Sequence, residues 1–432
     1  MRLTLANGRV TQIECGVEAS GEDECHAAAI PGLCNVHSHG FQRGMAGLAE
    51  VRGPEGDNFW TWREVMYRFL DRLDPEQVEA ITALAYVEML ERGFTRVGEF
   101  HYLHNDPAGA RYGNIGELAE RIVAAAAETG IGLTLLPVFY AHSNFGGAAP
   151  THGQRRFISD PDGFAELIAT SRKAIGLLLD ANIGVAPHSL RAVTAEELQT
   201  VVTLVDGGPI HIHAAEQTKE VDDCVAWSGA RPVQWLLDHA SVDGRWCLIH
   251  ATHMTAAEIS ALAASDAVAG LCPITEANLG DGIFPTRDYL DCDGRIGIGT
   301  DSNVLIDAAG ELRALEYAQR LQTHARNVLV RDAAESTGRD LFDAAMAGGA
   351  RALGQKTFGI REGCTADLLS FDLNDPVFFG RSGDSFLDAW IFAGGKLDCV
   401  WRAGRRLVDH GRHIARDAIG DRYRRALESV LK

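Results

Sequence analysis

The chain has no apolar run approaching the roughly 20 residues a helix needs to cross a bilayer, so a helical membrane protein is not expected. Its first residues, MRLTLANGRVTQIECG, lack the basic segment and long apolar stretch of a secretory leader. Cationic excess is missing too: 40 Lys and Arg face 59 Asp and Glu, a formal net charge of −19. So acidic a surface disfavours nucleic acid and anionic membranes as partners, although it says nothing about the charge inside a pocket. No CxxC pair occurs among the nine cysteines, which include Cys15, Cys34, Cys224, Cys272 and Cys399. An odd, unpatterned set reads as reduced thiols, not as a disulfide frame or zinc ribbon, and the cytoplasm is the expected location. There is no internal repeat and no low-complexity tract.

A hydrophobic fraction of 46% in 432 residues suffices for a large barrel with an accessory domain. Strand-like apolar runs occur at 27–36, 95–100, 132–139, 183–187, 210–213, 247–250, 267–272 and 296–300. Helical patterns lie between most of them, for example at 75–92, 115–129, 164–180 and 195–205. Eight strands alternating with helices predict an α/β fold, a (β/α)8 TIM-like barrel, placed at residues 30–365. Residues 1–29 and 366–432 break the rhythm with short β segments and turn signals at Asn7-Gly8, Gly394-Gly395 and Ala403-Gly404. Together they predict one small β domain built from both ends.

In such a barrel the reactive groups stand where strands end at their C-terminal side. The first run ends in His37-Ser38-His39; side chains two apart on a strand share a face, so both imidazoles can turn inward. The fifth ends in His211-Ile212-His213 and continues to Glu216, the sixth ends at His250, and the eighth runs into Thr300-Asp301-Ser302. Taken singly these have bland explanations, such as a buried hydrogen-bonded His, or Asp301 or Ser302 capping a helix. Four strand ends in order, each with a His or Asp, point to one divalent metal held by His37, His39, His213 and Asp301. Imidazoles with one carboxylate suit Zn²⁺ or Fe²⁺ better than Mg²⁺ or Ca²⁺. Such an ion makes water nucleophilic near neutral pH. His250 is placed to polarise that water, with His253 as the alternative, and Asp301 to accept its proton.

The pattern PGxxNxHSH, then HxxE, a lone His and GTDS resembles the deaminase branch of the amidohydrolase superfamily over residues 31–302, and Gly363–Leu368 is similar to its closing segment. The resemblance implies that Glu216 protonates the leaving nitrogen without binding metal; a helix first-turn carboxylate is the plainer reading. Two-metal relatives carry a Lys at the end of strand four, where this chain reads Asn182-Ile183-Gly184-Val185-Ala186-Pro187-His188, so one ion is expected. The strings HSHGFQRGMAGL, NFWTWREVMYRF, GEFHYLHND, APHSLRAV and PITEANLGDGIFP are similar to branch members that deiminate N-formimino-L-glutamate in histidine breakdown, releasing ammonia and N-formyl-L-glutamate.

That substrate carries two carboxylates, and resemblance places Gln42, Arg63, Tyr102, His188 and Arg191 around it. Arginine holds carboxylates by paired, charge-assisted hydrogen bonds; with 35 arginines in the chain, a surface ion pair is the alternative for each. The aromatic stretch Phe59-Trp60-Thr61-Trp62 with Tyr67 is expected as a loop or helix over the pocket mouth, or else as a subunit contact. A homodimer is implied by resemblance alone. Competing readings are a deaminase of purine or pyrimidine rings, and a non-catalytic scaffold that kept the barrel.

Overall fold

All eight apolar runs form strands of one parallel sheet in the computed structural model, which describes residues 1–53, 56–333 and 335–432. In chain order the strands are Leu33–Ser38, Phe94–His101, Gly132–Phe139, a fourth in two pieces (Asn182–Ile183 and Ala186–Pro187), Ile210–Ala214, Trp246–His250, Val268–Leu271 and Arg295–Ile298. Each pairs with its predecessor, the eighth pairs with the first at Ile298 and Asn35, and parallel bridges Val185–Ile210 and Ser189–His213 join the fourth to the fifth. The sheet is therefore a closed (β/α)8 barrel.

Two predicted runs divide. Within the fourth strand, the Gly184 N–H donates to the Leu135 carbonyl while the Val185 N–H turns to the Pro209 carbonyl. A Cβ at Gly184 would lie 2.3 Å from that Pro209 oxygen, so the switch of partner needs glycine. The first run splits at Gly32: Ala29–Pro31 pairs antiparallel with Leu368–Phe371, and only Leu33 onward enters the barrel.

Helices clothe the outside. Pro75–Glu91 starts where Asp74 and Gln77 form a capping box, with proline at the first helical position. Pro161–Ile175 starts three residues before the expected Phe164, because Asp160 caps it through the Gly163 N–H. On the helix Thr337–Ala352, Gly349 sits close against Cys34 and Val36 of the first strand. The pleat then turns Asn35, His37 and His39 to the barrel interior.

At the ends, Arg2–Ala6 and Arg9–Glu14 form a hairpin whose turn residues Asn7 and Gly8 have φ of 49° and 78°, the left-handed pair that a tight hairpin requires. A second, antiparallel sheet runs Arg412–His413, Arg405–Asp409, Leu397–Arg402, Leu368–Phe371, Ala29–Pro31. The C-terminal segment is not all β. Ser385–Ala393 is a helix because Leu387, Trp390 and Ile391 recur at helical spacing and bury one face, overriding the β preference of Trp-Ile-Phe. Arg416–Leu431 is a further helix. Asp180, after the third barrel helix, binds Arg96 of the second strand at 2.8 Å and also Arg402 of the small sheet, whose guanidinium reaches Asp367 at 3.4 Å. Among the described residues no helix is long and apolar enough to cross a membrane.

Candidate active site

His37 and His39 leave the first strand buried, facing His213 from the fifth and Asp301 from just past the eighth. The Asp301 Oδ1 lies 3.1 Å from His39 Nε2 and 3.4 Å from His37 Nε2, while His213 Nε2 lies 3.1 Å from His37 Nε2. The far nitrogens identify the near ones. His39 Nδ1 meets the Phe100 carbonyl at 2.9 Å, and His213 Nδ1 meets the His188 carbonyl at 3.0 Å. Carbonyls only accept, so those Nδ1 atoms carry the hydrogens and both Nε2 atoms present lone pairs. Bare lone pairs and a carboxylate at such separations repel unless a cation lies between them. Tetrahedral ligands about 2.0–2.1 Å from an ion stand about 3.3 Å apart, which these edges match. Burial pushes His37 down to about 3 and His213 well below the ordinary range, so both are neutral, as ligands must be.

The turn after the eighth strand is locked to the first. The Thr300 N–H donates to Asn35 Oδ1 (3.1 Å), Asn35 Nδ2 donates to Thr300 Oγ1 (2.7 Å), and the His39 N–H donates to the Asp301 carbonyl (3.0 Å). Asp301 and Ser302 cap no helix; the next begins at Ala308.

Glu216 stands between the fifth strand and the helix Thr218–Ser228, outside that helix's first turn, with its carboxylate buried and aimed inward. Its Oε1 is 3.9 Å from His250 Nε2, which is 4.0 Å from Asp301 Oδ2. Burial pushes Glu216 up to about 7. His250 Nδ1 meets Glu276 Oε1 at 3.2 Å. Burial alone would lower His250, but Glu216, Glu276 and Asp301 outweigh it and raise it to about 10. His253 points elsewhere, its Nε2 against the Asp281 carbonyl at 2.9 Å. Ala215, His250 and Asp301 all have positive φ (50°, 69° and 45°), so the backbone turns sharply at each of these strand ends.

All five residues expected around a substrate, Gln42, Arg63, Tyr102, His188 and Arg191, line one cavity with His39, His213, Glu216, His250 and Asp301. Gln42 Nε2 donates to the Tyr102 hydroxyl at 2.7 Å, and that hydroxyl in turn donates to the Met66 sulfur at 3.7 Å. The aromatic stretch is a helix, Phe59–Leu70, started by an Asn58–Thr61 capping box. Its residues Phe59, Trp62, Arg63, Met66 and Tyr67 share one face and line the cavity. Among the described residues neither Arg63 nor Arg191 forms an ion pair, and the Nε of each is buried without a partner. Sequence reasoning passed over Glu276, which holds His250, and Glu220, whose carboxylate accepts the Ala215 and Glu216 N–H groups at 3.2 and 3.1 Å. It also passed over Glu99, which accepts the Gly40 N–H at 2.6 Å, and Tyr140 and Phe157 in the cavity wall.

A closed barrel with histidines and an aspartate at these strand ends defines a class, and the chain belongs to it: the amidohydrolase family model matches residues 28–407. Among individual relatives, formimidoylglutamate deiminase of Pseudomonas aeruginosa is 51% identical over 429 residues, covering 99% of this chain and 94% of that protein. A 5-methylthioadenosine/S-adenosylhomocysteine deaminase of Natronomonas pharaonis is 30% identical, over 80% of this chain and 73% of its own. Among solved structures, an amidohydrolase from Brucella melitensis has 54% identity and a TM-score of 0.97, covering 100% of this chain and 96% of its own.

Proposed function

We propose that this protein hydrolyses N-formimino-L-glutamate to N-formyl-L-glutamate and ammonia, as a metal-dependent deiminase. The observation that carries the reading is the cavity itself: two arginines without carboxylate partners above, and three imidazoles with a carboxylate below. In a chain with a net charge of −19, two unpaired guanidiniums, Arg191 buried and Arg63 half-buried, call for an anionic ligand. The 51% identity to formimidoylglutamate deiminase supports the same choice.

His37, His39, His213 and Asp301 would hold one divalent ion, Zn²⁺ or Fe²⁺, since the fourth strand offers no lysine for a second. When bound, that ion supplies Lewis-acid activation of water. The remaining work falls to side chains. Arg63 and Arg191 bind the two carboxylates, with Gln42, Tyr102 and His188 fixing the chain between them. This directs the formimino carbon toward the space bounded by His250 Nε2, Glu216 and Asp301. His250, oriented by Glu276, holds the attacking water, and Asp301 accepts its proton. Glu216, kept protonated near neutral pH by burial, gives one proton to the terminal nitrogen, and the proton held by Asp301 supplies the second; the nitrogen leaves as ammonia while the carbon keeps the oxygen, whose remaining proton returns to Glu216. The helix Phe59–Leu70 excludes bulk water from this space.

We also propose that the enzyme works as a homodimer in the cytoplasm, consistent with all nine cysteines being free, and that the two ends of the chain form one small β unit. The decisive experiment is ammonia release from N-formimino-L-glutamate set against a panel of purines and pyrimidines. Turnover of the first alone is expected; turnover only of a ring would replace the substrate.

A further inference from the structure

Trp60 does not line the cavity, yet both cavity arginines gather against it. The Arg63 guanidinium carbon lies 4.6 Å from the centre of the indole ring, and that of Arg191 lies 5.6 Å from the same ring. Arg63 also lies over Tyr67, at 5.6 Å. Trp60 and Arg63 are three apart on the helix Phe59–Leu70, whereas Arg191 follows the fourth barrel strand. One half-buried indole therefore joins the covering helix to the barrel rim through two cations.

Two guanidiniums drawn to one cavity repel each other, and among the described residues no carboxylate pairs with either. An aromatic face attracts cations through its quadrupole, and indole does so best. A guanidinium resting by its face on a ring keeps its N–H edge free for a carboxylate fork. An acidic side chain in place of Trp60 would neutralise the arginines and compete with the ligand. The indole draws them together and leaves their hydrogen-bond donors unspent.

We propose that Trp60 is a positioning residue that holds Arg63 and Arg191 together before substrate arrives, and thereby sets the preference for a dicarboxylate. This rests on the dicarboxylate reading given above. Trp60 touches no reacting atom, so its removal acts on binding more than on chemistry.

The test measures calorimetric binding of glutarate, a bare dicarboxylate, to the metal-loaded wild type, Trp60→Leu and Trp60→Phe, with steady-state kinetics on N-formimino-L-glutamate. Trp60→Leu is expected to weaken glutarate about tenfold or more and to raise KM in parallel, with kcat falling less than KM rises. Its metal content and Tm should stay near the wild-type values. Trp60→Phe, which keeps an aromatic face, should recover most of the affinity. Glutarate affinity in Trp60→Leu within twofold of an active, glutarate-binding wild type overturns the proposal alone. Equal loss in both variants with a lowered Tm shows a packing role and also overturns it. A wild type that neither binds glutarate nor turns over N-formimino-L-glutamate overturns the dicarboxylate reading, and the proposal with it.

Discussion

At Glu216 the chain has left the fifth barrel strand and has not yet entered the next helix, so the carboxylate is free to face the cavity while the Glu216 N–H is taken up by Glu220. Burial raises its pKa, which is what a proton donor working near neutral pH needs. Glu216→Gln keeps the shape and removes the transferable proton. Turnover is expected to fall about 10²- to 10⁴-fold with metal content unchanged, measured by ammonia release and metal analysis. Arg191 lines the same cavity. Arg191→Met should lower kcat/KM about 10- to 100-fold, mainly through KM, the size expected for losing a charge-assisted pair. Unchanged kinetics would remove Arg191 from substrate binding. The pairing of His37 with His39 is legible in sequence because a strand's period of two puts both on one face. Glu276 and Glu220 are not, since a single carboxylate a few residues past a strand has no spacing to betray it. Which of 35 arginines reach the cavity follows from no spacing or period; resemblance alone singles out Arg63 and Arg191, which meet only through tertiary packing.

Between elements, the joint formed by Asp180, Arg96, Arg402 and Asp367 ties the barrel to the small sheet. Burial alone would raise the Asp180 pKa, but Arg402 and Arg96 outweigh it and hold it below the ordinary carboxylate value. A carboxylate depressed in the folded state stabilises the fold above its unfolded pKa, and that contribution disappears as pH falls through the folded value. Asp180 has a φ of 49°, a conformation asparagine tolerates, so Asp180→Asn removes charge with little backbone penalty. It should destabilise by about 3–5 kcal/mol near neutral pH, because it leaves two buried guanidiniums without their shared partner. The wild-type advantage over Asp180→Asn should shrink as pH is lowered below about 4. Thermal unfolding of both proteins across pH checks this; a pH-independent difference would place the effect in packing. No sequence pattern marked Asp180, since it lies at a helix-to-strand connection and its partners are 84 and 222 residues away.

For the whole molecule, the four proposed ligands come from the first, fifth and eighth strands, so one ion would fasten the barrel across its open end. Chelation is expected to abolish activity and lower the Tm, and Zn²⁺ or Fe²⁺ should restore both. At a free metal concentration 1,000 times the Kd, linkage adds about 4 kcal/mol of stability. Retained activity after complete metal removal would refute the metal-dependent reading.

Local pattern specifies the barrel and its order, because eight apolar runs alternating with amphipathic helices have few other ways to bury their surfaces. It also determined which strand ends carry imidazole and carboxylate, because those positions are fixed by local period. The rest came from tertiary structure: the break at Gly184, forced by the approach of Pro209; the helix at the cavity wall; and the partners of the two histidines, Glu276 for His250 and the Asp281 carbonyl for His253. It also decided which charges go unpaired. Such facts depend on distances between residues far apart in the chain, which no local pattern encodes.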